Sequence, residues 1–134
     1  MEVEWLILAD GAQVVQDKLY ILGGGWDVIK AGSEFPIQQH MAIAVAFRVP
    51  WNETNQKHDV ELEIVDQDGE SLVKINGMIE VGRPPGTPLG ASQRVQLAVD
   101  TNIPIPRAGT YAIIARIEGQ EGKRIAFHVA AATT

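Results

Sequence analysis

The sequence predicts an all-β protein, an antiparallel sandwich of about eight to nine strands, on three observations. Val and Ile together number 27 against 8 Leu, and an excess of β-branched side chains favours the pleated strand. Apolar residues recur at a period of two far more often than at 3.6. Clusters of Gly, Pro and Asn, drawn from 13 Gly and 7 Pro, cut the chain into short segments with no helix-length pattern between them. At 134 residues the expectation is a single sandwich domain over 1–134, long enough to bury one shared core.

The sharpest element is a hairpin over residues 58–81. Val60, Leu62 and Ile64 alternate with Glu61 and Glu63, and Asp68-Gly69 supplies a two-residue turn. That turn sets Ile64 opposite Val73, Leu62 opposite Ile75 and His58 opposite Ile79, so register and hydrophobic pattern agree. A second hairpin is expected over 111–131. There Tyr111, Ile113, Ala115 and Ile117 face Ala131, Val129, Phe127 and Ile125 across a turn at 118–124, and His128 opposes Ile114. Further strands are read at 3–9, 18–23, 26–30, 39–49 and 93–100. Pro106-Arg107-Ala108-Gly109-Thr110-Tyr111 is a turn feeding a Tyr at the start of a late strand. It resembles the tyrosine corner of immunoglobulin-like domains, so the sandwich is read as immunoglobulin-like. An architecture implies no activity.

Composition closes several functional classes. A net charge of −6 and scattered Lys and Arg argue against nucleic acid and against an anionic membrane, since both need clustered cations. The chain has no cysteine, which removes disulfides, thiolate catalysis and Cys-based metal sites. Met1-Glu2-Val3-Glu4 carries acids where a signal peptide needs bases, and no apolar run approaches the roughly 20 residues of a membrane span. A cytoplasmic, bacterial-type protein is the expectation, and Asn52-Glu53-Thr54 is an accidental glycosylation match.

Two stretches are more particular. Leu8-Ala9-Asp10-Gly11-Ala12-Gln13-Val14-Val15 is followed by Lys18-Leu19-Tyr20-Ile21-Leu22-Gly23-Gly24-Gly25-Trp26. Val49-Pro50-Trp51-Asn52, Asn55, His58, Asp66-Gln67-Asp68-Gly69 and Val81-Gly82-Arg83-Pro84-Pro85-Gly86 continue the pattern. Together these resemble an uncharacterised family of small bacterial, actinobacterial-type proteins of unknown function. The resemblance implies a compact β domain and carries over no catalytic residue.

Candidate sites are therefore weighed on chemistry. Asp66-Gln67-Asp68-Gly69 begins like a calcium loop but lacks the later oxygen ligands, and reads as a turn. Gly23-Gly24-Gly25 leads into a strand pattern and not a helix, so it reads as a bend rather than a phosphate loop. His40, His58 and His128 lie on three strands without ligand spacing, and Ser33, Ser71 and Ser92 sit in no nucleophile elbow. No catalytic residue, cofactor or metal site is assigned. The loop carrying Trp51, Asn52, Asn55 and His58 combines an aromatic plane, two amides and an imidazole. It reads either as a ligand platform or as a plug over the end of the sandwich. Residues 82–90 read as a stiff crossing between sheets or as a Pro-rich contact loop.

One feature exceeds a plain sandwich. Over residues 41–49 the odd positions are large while Ala42, Ala44 and Ala46 alternate with them, and Ala112, Ala126 and Ala130 repeat the small face elsewhere. An exposed strand face would carry Thr, Lys or Glu. A small flat face suits something packed on it, either the chain's own residues 3–9 or a second copy or protein partner; the remaining reading is exposure without purpose. The sequence thus leads to a non-catalytic binding or assembly module that self-associates or binds a protein. The alternative is a small-molecule or carbohydrate-related enzyme or ligand-binding domain using the loop from Trp51 to His58.

Overall fold

A computed structural model describes residues 1–132 and is built from nine strands. They are β1 (Glu2–Val15), β2 (Lys18–Gly24), β3 (Val28–Lys30), β4 (Ile37–Val49), β5 (His58–Val65), β6 (Ser71–Ile79), β7 (Gln93–Ile105), β8 (Gly109–Ile117) and β9 (Gln120–Ala130). One sheet has the order β2-β1-β4-β7 and the other β3-β9-β8-β5-β6. Their facing sides share one core that includes Leu8, Ile43, Phe47, Ile64, Ile113 and Phe127. Strands β1-β4-β7 against β9-β8-β5-β6 reproduce the A-B-E and G-F-C-C′ halves of an immunoglobulin-like sandwich. The corner is present: the Tyr111 hydroxyl donates to the Arg107 carbonyl at 2.5 Å, and its ring stacks on Phe127 with centroids 5.5 Å apart. No helix among the described residues is long and apolar enough to cross a membrane.

The sheets are not purely antiparallel, because β3 runs parallel to β9. The triple glycine explains this. Gly23 and Gly25 have φ of +60° and +88°, and the Gly25 amide donates to the Leu8 carbonyl. The chain thus bends off the first sheet and enters the second at its edge.

The β5–β6 register is the expected one, with Ile64 opposite Val73, Leu62 opposite Ile75 and His58 opposite Ile79. The turn is different. Asp66 accepts the Gly69 amide and pairs its own N–H with the Glu70 carbonyl, making a three-residue loop that ends on Gly69 at φ +83°. Leu72 bulges from β6 between the Ile64 and Val65 pairs and restores the parity that the longer loop shifts. The β8–β9 register corrects the expectation by four residues: Tyr111 faces Phe127, Ile113 faces Ile125, and His128 faces Thr110. The cause is a two-residue turn at Glu118-Gly119, whose φ values of +50° and +80° fit a type I′ hairpin. Gly122 is the bulged residue, and a Cβ there would lie 2.6 Å from the Val3 side chain. An even shift leaves each side chain on its expected face.

Strand β4 decides the rest. Residues 41–47 are all at most 1% exposed. Met41, Ile43, Val45 and Phe47 enter the shared core, while Ala42 and Ala44 form a second cluster on the outer face with Ala9, Ala12, Trp5, Leu19, Ile21 and Ala98. Residues 3–9 do not lie on the alanine face as one of the expected covers; they pair beside β4, ending with Ala9 opposite Ala42. Beyond that point β1 leaves β4 and, with β2, folds over its outer face. The hairpin reaches β7, where the Asp100 carboxylate accepts the Ala12 amide at 3.2 Å and the Gln96 amide donates to the Asp17 carbonyl at 2.8 Å. The small face on β8 and β9 has no such layer: Ala112 and Ala130 are half-buried and Ala126 is exposed.

Alanine at position 44 is thus a spacing requirement between layers. Ala44→Leu is expected to lower the unfolding free energy by about 1–3 kcal/mol at every protein concentration, whereas Ala126→Leu is expected to be nearly neutral. Chemical denaturation of the two variants checks the difference.

Candidate interaction site

Two places carry chemistry beyond the core. The first is the end of the sandwich where the β4–β5 loop, the β6–β7 crossing and the β8–β9 turn meet. Pro50 leads into a single 3-10 turn, Trp51–Glu53. Thr54 closes it by donating its hydroxyl to the Trp51 carbonyl at 2.8 Å. Arg83, from the crossing, places its guanidinium 3.8 Å from the Trp51 ring centroid and donates to the Thr54 hydroxyl and the Trp51 carbonyl. Trp51 is half-buried with a cation over its ring, so its indole is not an open platform. Asn52 and Asn55 are exposed. Asn55 occupies φ +59° and anchors by its backbone amide to the Val81 carbonyl at 2.7 Å, so the four candidate residues do not converge on one cleft.

His58 is buried at the base of this end. Its Nε2 lies 2.8 Å from the Glu53 carbonyl and its Nδ1 lies 3.0 Å from a Glu118 carboxylate oxygen. Both partners are acceptors, so the ring satisfies both only as the imidazolium. The Glu53 carbonyl and then the Glu118 carboxylate raise its pKa above the ordinary 6.5, outweighing burial. This histidine fastens the 3-10 turn to the β8–β9 turn and has no lone pair free to act as a base. His40 is similarly committed, between the Asp100 carboxylate and the Asn102 side chain, and His128 bonds the Thr110 hydroxyl. Asp66, the first carboxylate of the calcium-like run, accepts the Asp68 and Glu70 amides on one oxygen and Arg107 on the other, all at 2.9 Å. Those bonds, the Glu70 amide first, hold its pKa below the usual 3.8.

The second place is the outer side of the β1–β2 hairpin. Because Ala12, Leu19 and Ile21 point to the alanine layer, the alternate residues point to solvent. Leu22 is 77% exposed, Tyr20 52% and Val15 45%. Tyr20 lies opposite Gln13 and Leu22 opposite Gly11, around a shallow hollow of about 180 Å³ that Asp100 also lines. Strand β2 ends its sheet, so one edge of its backbone has no neighbouring strand among the described residues. The sequence reading passed over these residues. Their signal was available in Leu19-Tyr20-Ile21-Leu22, which is apolar on both faces.

The comparisons bear on kinship. Residues 4–130 match the model of a family of unknown function, DUF6941. The chain belongs to this family. A search of curated proteins finds no match. Among solved structures the chain is similar to a β-glucuronidase from glycoside hydrolase family 2, at 17% identity and a TM-score of 0.38. That match covers 72% of this chain but 11% of the enzyme, so the chain spans about a tenth of its length.

The His58 geometry sets a pH dependence. A raised folded pKa contributes stability that is complete below 6.5, the ordinary value, and is lost as pH rises through the folded value. The melting temperature of the wild type is expected to fall over that range, with His58→Gln less stable in acid and flatter with pH. His40, whose pKa is also raised, is present in both proteins and cancels in the difference between their melting curves.

Proposed function

We propose that this protein is a non-catalytic assembly module that binds a protein chain through the exposed edge of strand β2. The observation that carries the reading is the coincidence of a free strand edge with exposed Tyr20 and Leu22. An uncovered apolar edge is the usual template for pairing with another chain. The protein-contact role expected for Ala42, Ala44 and Ala46 passes to the hairpin, which lies on Ala42 and Ala44. The enzyme or carbohydrate reading has less support, because Arg83 occupies a face of Trp51 and the bonds of His58 are committed to structural partners. A bacterial cytoplasm as the setting remains part of this proposal, as does the exclusion of nucleic acid and membrane that the net charge of −6 favours.

Sedimentation of the protein in extract of the cells that make it, followed by immunoblot, tests the reading. The expected result is a species well above the 14.6 kDa of one chain, reduced to that mass by Leu22→Lys without loss of thermal stability. A 14.6 kDa species for the unaltered protein in extract contradicts it.

A further inference from the structure

We propose that the chain seated on β2 is a second copy of this protein, paired antiparallel across a two-fold axis at Ile21; the proposal rests on the assembly reading above and names its partner. Backbone parity and the exposed side chains together select this axis. The β1–β2 hairpin turns through Gln16-Asp17, at φ +50° and +62°, so Val15 and Lys18 close it as the first hydrogen-bonded pair. Gln13 with Tyr20 and Gly11 with Leu22 follow as further bonded pairs. The backbone groups of Leu19 and Ile21 therefore point away from β1, into the free edge. The same parity is visible on β1, where the Ala12 amide points away from β2 and reaches Asp100 instead.

A symmetric antiparallel pairing that uses these outward groups bonds odd residues of β2 to odd residues, with its axis on an odd residue as a bonded pair or on an even residue as a non-bonded one. Centred on Ile21, it bonds Ile21 to its counterpart and sets Tyr20 of each copy opposite Leu22 of the other. That pair falls in the non-hydrogen-bonded position, where side chains lie closest. Lys18 then faces Gly24, so no like charges oppose one another. Centring on Leu19 would instead set Tyr20 against Lys18 and Leu22 against Gln16, leaving the apolar pair unmatched. Centring on Tyr20 would set Leu22 against Lys18, and centring on Leu22 would set Tyr20 against Gly24, so of these isologous registers only that at Ile21 opposes both exposed apolar residues to each other. The edge also lacks protection: β2 has no proline and its one lysine is the terminal Lys18.

Analytical ultracentrifugation of the purified full chain, from about 1 µM to about 1 mM, tests the pairing. The expected result is a concentration-dependent monomer–dimer equilibrium. Tyr20→Lys with Leu22→Lys in one chain brings four cations together and is expected to weaken it at least about tenfold. Tyr20→Lys with Leu22→Glu sets each cation opposite a carboxylate and is expected to recover part of the loss; circular dichroism confirms that both variants fold. A monomeric wild type over the whole range overturns the proposal, as does a dimer indifferent to both double variants. If the purified chain is monomeric while the extract still holds a larger species dependent on Leu22, self-pairing fails and the assembly reading stands. If both preparations are monomeric, both fail.

Discussion

The structure depends on β4 being buried on both of its faces. A strand in an ordinary sandwich has one wet face, and its side chains there set no limit on a neighbouring layer. Here the outer face of β4 carries Ala42, Ala44 and Ala46, and the β1–β2 hairpin lies on the first two. Close approach of this hairpin brings the Ala12 amide within reach of Asp100, and the Asp17 carbonyl within reach of Gln96. It also fixes which residues of the hairpin meet solvent. Leu19 and Ile21 turn inward, so Tyr20 and Leu22 turn outward, and the exposed edge follows from the packing of the strand beneath.

Charged groups act mainly as fasteners around this layered core. Arg48 and Arg94 are cross-strand partners, an arrangement that like charges disfavour. Glu4, in the irregularity between Val3 and Trp5, bonds both guanidinium groups, Arg94 the more strongly, and its pKa is lowered to about 2. Arg116 does the same on the other sheet, joining Glu61 and Glu63 at 2.7 Å. His58, His40 and Asp66 likewise have their hydrogen-bonding atoms engaged by local partners. These groups, weighed as site candidates in the sequence and assigned no catalytic role there, serve as connections between strands and turns.

Much of the fold was legible because strand alternation is a local signal. The 58–81 hairpin was readable from Val60, Leu62 and Ile64 despite the wrong turn length, since the Leu72 bulge restored the parity set by the core. The 111–131 register was misread because Glu118-Gly119 does not carry the usual Asn-Gly or Asp-Gly signal, although Gly122 marked the bulge beside it. Ala42 and Ala44 of β4 lie under a cover, whereas the matching Ala126 on β9 is exposed. The identity of that cover was out of reach because residues 10–24 meet β4 and β7 through contacts distant in sequence, which no period encodes. The capped state of Trp51 was hidden for the same reason: Arg83 stands 32 positions away. The exposed β2 edge became visible only once one face of Leu19-Tyr20-Ile21-Leu22 was known to be inward.

If β4 is sealed by two layers, its amides can exchange with solvent only when the whole molecule opens. Native-state hydrogen exchange, resolved by residue and extrapolated over denaturant, measures this directly. The account predicts that amides of residues 41–47 exchange with the free energy and denaturant dependence of global unfolding, matching Ile113 and Phe127 in the opposite sheet. Exchange of residues 41–47 through a smaller opening, shared with Ala12, Leu19 and Ile21 and leaving the opposite sheet protected, would contradict it.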